Sequence, residues 1–362
     1  MFGKIKSFTI SLIAGANVVA VIVMILVGFA DHVNPVNHAT FSSLGMLFPL
    51  AALVNLAFLF FWLIVKWRLA WIPFVGFLLV YVPMRTYMPL NLPLSPPEDA
   101  IKVVSFNVGG YCSAQQEGDS FGQIYEYLRE SKADIVCLQE DNDSWRKSEV
   151  IYDGLYAYND IVPLNSSGMI NRLGIHTRFP ILRRERIEYP SAANGSVAWY
   201  LQVGNDTLIV INNHLEATHL TKEDRSQYHQ LIKGDMESDT ARASSRRLLS
   251  VFSESSAKRA PQAEAVHRYV EEHRGQNILV CGDFNDHPLS YTRHVVADGM
   301  KDCFVSTGNG LGVSFNRYGM YFRIDHMMCS EDITPYRCQI DSKCDASDHY
   351  PVVCWIKIDR KP

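Results

Sequence analysis

The chain has 362 residues, 48% hydrophobic and 20% charged, with a formal net charge of −4. That composition excludes a disordered chain, and the acidic balance excludes a protein that coats nucleic acid through a strongly basic surface. The average hides a division: residues 1–97 hold five Lys or Arg and one acid, Asp31, so the 265 residues that follow carry a net −8.

Phe8–Ala30 and Thr40–Val65 run for 23 and 26 residues without a formal charge. A membrane span needs about 20 apolar residues, so both read as transmembrane helices. Leu69–Met84 is shorter, at 16 uncharged residues, and the mostly apolar Tyr87–Leu94 would lengthen it into a third. The first stretch is too long for the apolar part of a cleaved signal peptide and two more follow it, so it reads as retained. Lys4 and Lys6 precede the first span and Lys66 and Arg68 follow the second, whereas the loop Asp31–Ala39 has neither Lys nor Arg. The positive-inside bias then gives a multi-pass cell-membrane protein with residues 1–88 as its anchor, a cytoplasmic N-terminus, and everything beyond the third span extracytoplasmic; Arg85 mildly opposes this. The lipid bilayer is thus an expected partner, and nothing indicates a protein partner. Four prolines in Pro89–Pro97 forbid a helix, so residues 89–99 read as a stiff extended linker.

In the remaining part, residues 100–362, Ile101–Val108 and Ala133–Leu138 read as buried strands around a helical Gln123–Ser131. Residues 197–203 and 207–213 read as a hairpin turned by Gly204, Asn205 and Asp206. Residues 224–274 read as helical with a break at Pro261, and Asn277–Cys281, 323–329 and 351–358 as further strands. Strands and helices without a regular βαβ alternation favour an α/β sandwich, four layers with two mixed sheets face to face and helices outside.

Polar residues recur at the strand ends. Asn107 ends the first strand, Glu140 the second, Asn212 and His214 the hairpin, and Asp283 and Asn285 the next; Asp325 lies in the following strand, and Asp348 and His349 precede the last. Apolar strands that each deliver a carboxylate, amide or imidazole build one shared site. The inventory suits phosphoester hydrolysis with a hard divalent cation, Mg²⁺ or Mn²⁺, because such ions take oxygen ligands and Asn107 and Glu140 supply two. A His–Asp pair can activate water, and a second His with an Asn and the metal can stabilise charge at phosphorus. Zinc spacing, a phosphate loop with its Lys and a G-x-S-x-G elbow are all missing from the sequence.

The order SFN, LQE, NNHL, GDFND, RIDH, SDHYPV, over roughly residues 100–360, resembles the endonuclease/exonuclease/phosphatase superfamily, the fold of pancreatic deoxyribonuclease. The resemblance implies that Asn107 and Glu140 bind metal with Asp348 nearby, and that His214 contacts the scissile phosphate and protonates the leaving group. It implies that Asp283 and Asn285 bind phosphate and orient the nucleophile, that His349 is the general base held by Asp325, and that Arg259 and Asn212 contact substrate. Departures from the family's pattern are Ser314 and Phe315, His326 in place of a common Tyr, and His176 and Thr177; none removes a catalytic group.

The resulting expectation is a membrane-anchored, metal-dependent phosphodiesterase or phosphatase. The alternative is a non-catalytic membrane module that keeps the fold to bind a ligand, and the complete set of polar residues argues against it. The substrate is a phosphoester of open identity: nucleic acid, phospholipid head group or small phosphoester. Few cations in 141–172 (Arg146, Lys147, Arg172) argue against tight duplex binding, although 242–259 offers Arg242, Arg246, Arg247, Lys258 and Arg259 as a basic edge. His219, His229, His267, His273, His287 and His294 read as solvated. Cys137, Cys281 and Cys354 read as core residues, and Cys338 and Cys344 as the best candidates for a disulfide.

Overall fold

The computed structural model describes residues 2–111, 120–141, 152, 154–164, 171–317 and 319–359. Helices come first: α1 (Phe2–Gly28), α2 (Pro35–Ser43), α3 (Phe48–Val65), α4 (Trp71–Leu79) and α5 (Tyr81–Tyr87). Strands then dominate: β1 (Ile101–Asn107), β2 (Ile135–Gln139), β3 (Tyr158–Pro163), β4 (Arg172–Thr177), β5 (Ile181–Ile187), β6 (Gly195–Val203), β7 (Asp206–His214), β8 (Asn277–Asp283), β9 (Lys301–Asp302), β10 (Phe315–Arg317), β11 (Met320–Phe322), β12 (Asp325–Cys329), β13 (Ile333–Ile340) and β14 (Val352–Ile358). Helices α6 (Ser120–Ser131), α7 (Lys222–Lys233), α8 (Ser238–Glu272), α9 (Tyr291–Ala297) and α10 (Cys303–Thr307) cover them.

The strands form two six-stranded mixed sheets, ordered β13-β14-β1-β2-β4-β3 and β5-β6-β7-β8-β12-β9, with β10 and β11 as a separate hairpin. Only β1/β2 and β7/β8 pair in parallel among the described strands. The fold is the expected α/β sandwich. Alternation along the strands explains the core: Val103, Ile135, Cys137, Leu208, Val210, Leu279, Cys281 and Met327 meet between the sheets in one cluster. The outer faces pack on helices, Ile209, Ile211 and Val280 against Ala263 and Val266 of α8, and Val104, Phe106 and Val136 against Ile124 and Leu128 of α6. Following the inward positions to one end of the sandwich changes their chemistry, from Val103 to Asn107, from Ile135 to Gln139, from Leu208 to Asn212 and His214, from Leu279 to Asp283 and from Met327 to Asp325. The functional candidates occupy that end.

Two helical runs, Lys4–Gly28 and Pro35–Val65, are long and apolar enough to cross a membrane; Trp67–Leu79 with Tyr81–Tyr87 reaches that length only as a pair bent by 65°. The third apolar stretch is therefore broken. Pro83 cannot donate to Leu79, three residues past the bend at Val80, and helix ends at Tyr87 before Pro89, so Tyr87–Leu94 adds no turns. A buried polar trio ties α1 to α3: Trp62 Nε1 donates to Asn17 Oδ1 at 3.0 Å, and Asn17 Nδ2 to Asn55 Oδ1 at 3.3 Å.

The helical part docks on the sandwich at several points. Leu289 is buried among Met24, Val27, Phe48, Ala52 and Val80. A Cβ on Gly45 would meet the Leu289 carbonyl oxygen at 2.5 Å, so only glycine permits this approach. Arg323 donates to the last carbonyls of α5, Thr86 at 2.5 Å and Tyr87 at 3.3 Å. Asn91 is pinned by Asn309, Val305 and Gly308, which fixes the extended segment after α5.

Three expectations are corrected. Pro261 does not break its helix: α8 runs 35 residues through it. The cost of about 3 kcal/mol for an interior proline is offset by the buried face Leu248, Val251, Ala260, Ala263, Val266 and Val270. Cys338 and Cys344 are free thiols, because Cys338 faces the core between the sheets whereas Cys344 packs on the opposite face beneath α6. Not all six histidines expected to be solvated are so: His287 is buried, and His273 stacks on Tyr269 and bonds the Tyr200 hydroxyl at 2.9 Å.

Candidate active site

Register builds the site. In the second sheet His214 pairs with Asp283 and Asp283 with Asp325, so three chemically active side chains stand in one row across β7, β8 and β12. In the first sheet Asn107 pairs with Gln139, which sets Glu140 one residue beyond the strand end. His349, just before β14, closes the far side and bridges to Phe315. Two of these positions need unusual backbone. Glu140 and Asn285 have φ of 54° and 53°, a left-handed conformation costing of order 1–3 kcal/mol, retained where the surroundings over-determine it. Gly282, at φ 128°, lets β8 pass β7; a Cβ there would lie 2.1 Å from the Asn213 carbonyl oxygen.

Asp283 is the hub. Its Oδ2 accepts from Asn107 Nδ2 at 3.0 Å and Asn285 Nδ2 at 3.2 Å, and lies 3.8 Å from His214 Nε2 and 3.7 Å from His349 Nε2. Asn107 Nδ2 also reaches Glu140 Oε1 at 3.3 Å, and Glu140 lies 3.7 Å from His214 Nε2. His349 Nδ1 is bound to Asp325 Oδ2 at 2.8 Å, and both Ile324 and Asp325 N–H groups donate to Ser314 Oγ, which fixes the start of β12.

The electrostatics separate the two imidazoles. Burial drives His214 below its ordinary value, with Asp283 opposing. Burial also pulls on His349, but the Asp325 and Asp283 carboxylates override it and hold the imidazolium well above the ordinary value. Burial raises Asp283 to about 6 and Glu140 in the same direction, the nearby His349 charge opposing both. The tautomer of His214 follows from Asn171, whose Nδ2 donates to the Ala193 carbonyl at 2.8 Å and to His214 Nδ1 at 3.0 Å. With Nδ1 accepting, the proton is on Nε2, aimed at Asp283 and Glu140. Asn171 carried no signal in the sequence; it becomes visible only when β4 is folded beside β7.

Glu140, Asp283 and Asp325 have only histidines as cationic neighbours within ion-pair distance among the described residues, and Asp348 lies close enough to Glu140 to raise it further. Concentrated carboxylates with no Lys or Arg between them fit a divalent cation, for which Glu140, Asn107 and Asp348 provide oxygen donors. Two groups of three metal-type ligands lie within 4.8 Å of one another, Asp283/Asp325/His349 here and Asp31/His32/His294 at the junction with the helical part. In the first, the short Asp325–His349 contact is a hydrogen bond that fixes the orientation of the imidazole.

Two expected substrate contacts lie elsewhere. Asn212 is fully buried one layer below His214; it donates to the Leu138 and Gly174 carbonyls at 2.9 and 3.2 Å and accepts from Gln139 at 2.6 Å, stitching the sheets together. Arg259 is spent on Asp286 at 3.1 Å, the Glu216 carbonyl at 3.0 Å, Thr218 at 3.1 Å and Ser256 at 3.3 Å, bracing the loops that follow β7 and β8. His326 adds to that brace through the Asp286 carbonyl at 2.9 Å, and burial with Arg323 depresses it to about 4. Replacing Asn212 with Leu removes the shortest partner of the Gln139 amide and the donors to the Leu138 and Gly174 carbonyls, and should cost about 1–3 kcal/mol of stability while KM stays unchanged; chemical denaturation with parallel kinetics checks this, and a raised KM at unchanged stability would restore Asn212 to the substrate. Arg146 and Lys147, with most of the loop after Tyr111, lie outside the described residues.

Comparison with known proteins gives consistent matches. Residues 104–349 match the model of the Endonuclease/Exonuclease/phosphatase family, and residues 10–87 match a domain of unknown function, DUF8431. No curated protein matches. Among solved structures, the human Nocturnin catalytic domain with bound sulfate is similar at 15% identity, TM-score 0.53, over 74% of this chain and 96% of that one. A functionally unknown conserved protein from Enterococcus faecalis V583 aligns at 12% identity, TM-score 0.51, over 72% of this chain and all of that one. TDP2 from D. rerio, complexed with a single-strand DNA product, aligns at 14% identity, TM-score 0.50, over 72% and 100%. At such identities these likenesses speak for the fold alone.

Proposed function

The chain belongs to the endonuclease/exonuclease/phosphatase family, and from that premise we propose that it is a membrane-anchored, metal-dependent phosphoester hydrolase. The observation that carries this reading is the convergence on Asp283 of an amide pair and two imidazoles in opposite protonation preference, with the Glu140 carboxylate joined to them through Asn107 and His214. Titratable groups whose environments push them apart mark acid–base assignments.

His349 takes a proton from water at Nε2 while Asp325 holds Nδ1 and stabilises the imidazolium. The water oxygen forms the new bond to phosphorus as the bond to the leaving oxygen breaks. His214, neutral and protonated on Nε2, donates to a non-bridging phosphate oxygen, a better match to its depressed value than protonating the leaving group. Asp283 and Asn285 orient water and phosphate. Glu140, Asn107 and Asp348 would hold Mg²⁺ or Mn²⁺, which supplies charge neutralisation at phosphorus and at the leaving oxygen. Hydrolysis of bis(p-nitrophenyl) phosphate or p-nitrophenyl phosphate by the purified full chain with Mg²⁺ or Mn²⁺ is the expected result; inertness towards both esters would favour the non-catalytic binding module instead.

The division of the chain into an anchor (1–88), an extended linker (89–99) and a catalytic part (100–362) fits the contacts, and parity supports the number of crossings. The loop between the first two runs touches the sandwich, with Asn34 on Glu264 and Tyr291 at 3.1 Å each, and so does the end of α5 through Arg323. If α1 and the 35–65 run each cross once, the bent α4–α5 pair must cross to return to the same side. With Lys4, Lys6, Lys66 and Arg68 inside, the catalytic part is extracytoplasmic. A reporter active only outside the cytoplasm should be active when fused after Pro97 and silent after Arg68; the reverse pattern would put catalysis in the cytoplasm.

A further inference from the structure

The loops that build the active site are the same loops that hold the membrane helices. Leu289, six residues beyond Asp283, is buried in the end of the helical bundle among Met24, Phe48 and Val80. The turn at Gly45, between α2 and α3, lies against Leu289 and His287, with no space for a side chain. Arg323, two residues before Asp325, closes the carbonyl end of α5. The catalytic end of the sandwich is therefore its membrane end, and the site is held at one height over the bilayer.

A cavity continues this arrangement. Its walls include Met46 from the membrane part, Phe252, Phe322 and Ile324 from the sandwich, and Asn285 and Asp286 from the loop after β8. One side is thus apolar and touches the juxtamembrane turn, and the other is the amide that bonds Asp283. Exposed apolar side chains follow or precede its wall residues in the chain: Leu47 beside Met46 on the membrane part, and Tyr321 beside Phe322 on the sandwich. The cavity is small, about 40 Å³, so it marks where polar and apolar walls meet, and that junction suits an amphiphile whose phosphate enters the site while its chains stay in lipid. A polyanion is poorly served, since residues 98–362 carry a net −8 and Arg259, the cation nearest Asn285 in this wall, is consumed by Asp286.

We infer that the substrate is a phosphoester carried by the bilayer in which the protein itself sits, its head group reaching Asp283 from the membrane side past Met46 and Asn285; this rests on the membrane-anchored hydrolase reading above. The full chain is reconstituted into vesicles of phosphatidylethanolamine, phosphatidylglycerol, cardiolipin and phosphatidic acid, with Mg²⁺ or Mn²⁺, and loss of each lipid phosphorus signal is followed. The same lipids, isotopically marked, are supplied either in the enzyme's own vesicles or in separate enzyme-free vesicles. Plasmid DNA and bis(p-nitrophenyl) phosphate are assayed in parallel. Confinement to one membrane raises effective concentration, so hydrolysis in the enzyme's own vesicles should exceed that in separate vesicles, and that of DNA, by roughly tenfold or more. Equal rates in the two vesicle arrangements, faster cleavage of DNA, or turnover of the soluble diester with every lipid intact overturns the bilayer substrate and leaves the hydrolase standing. Inertness towards all of them overturns both.

Discussion

Replacing His349 with Gln is expected to lower kcat by roughly 10²–10⁴-fold, the range for a lost general base, with little change in KM. Gln keeps the volume and a donor but cannot take the proton from water. Asp325→Asn should also lower kcat, and it has a second signature. Asp325 contributes the largest of the charges that raise His349 against its burial. With that charge gone, burial dominates and the His349 value falls. Activity requires the neutral imidazole, so in the wild type it rises with pH as His349 loses its proton, and the acid limb of the Asp325→Asn profile should move to lower pH. An unshifted acid limb with reduced kcat would assign Asp325 a role in packing alone. The Asp325–His349 bond has a linked effect on stability. The folded value is raised above the unfolded one, so this bond's contribution is complete at acidic pH and is lost as pH rises through the folded value.

Removing the metal should abolish turnover, and the protein should report the loss without any substrate present. Glu140 and Asp283 are both raised by burial, and with Asp325 and Asp348 they leave excess negative charge in one cleft. A cation that binds the folded chain at about 100 times its Kd adds about 2.7 kcal/mol, which thermal unfolding resolves. Mg²⁺ or Mn²⁺ should therefore raise Tm of the EDTA-treated protein and restore activity. Glu140→Gln should shrink that rise and abolish turnover, while leaving the metal-free protein at least as stable, because a strained, desolvated carboxylate has been neutralised. Full activity in EDTA, or a metal-induced Tm shift untouched by Glu140→Gln, would remove Glu140 from the metal site.

The sequence by itself determined the family and the general architecture. Strand identity is written in short continuous apolar runs, buried on both faces, and the ends of those runs carried Asn107, Glu140, His214, Asp283, Asp325 and His349, because a sandwich that is apolar inside can place polar residues only where its strands run out. Apolar length likewise marked the two runs long enough to cross a membrane. Tertiary structure decided what depends on neighbours distant in sequence. Asn212 has the same inward phase as His214, and only the facing first sheet, through Gln139, Leu138 and Gly174, turns it into a buried strut. Arg259 looked available for phosphate until Asp286 and the loop carbonyls absorbed its donors. Pro261 ends an isolated helix, but here burial on β7 and β8 outweighs one lost hydrogen bond. Asn171, which sets the His214 proton, precedes a strand, β4, that meets β7 only in three dimensions. The docking of Gly45, Leu289 and Arg323, which turns the end of the sandwich with the candidate site towards the apolar helices, joins residues more than two hundred positions apart. No local pattern encodes such a contact, since it depends on the shapes of two surfaces that exist only once each part has folded.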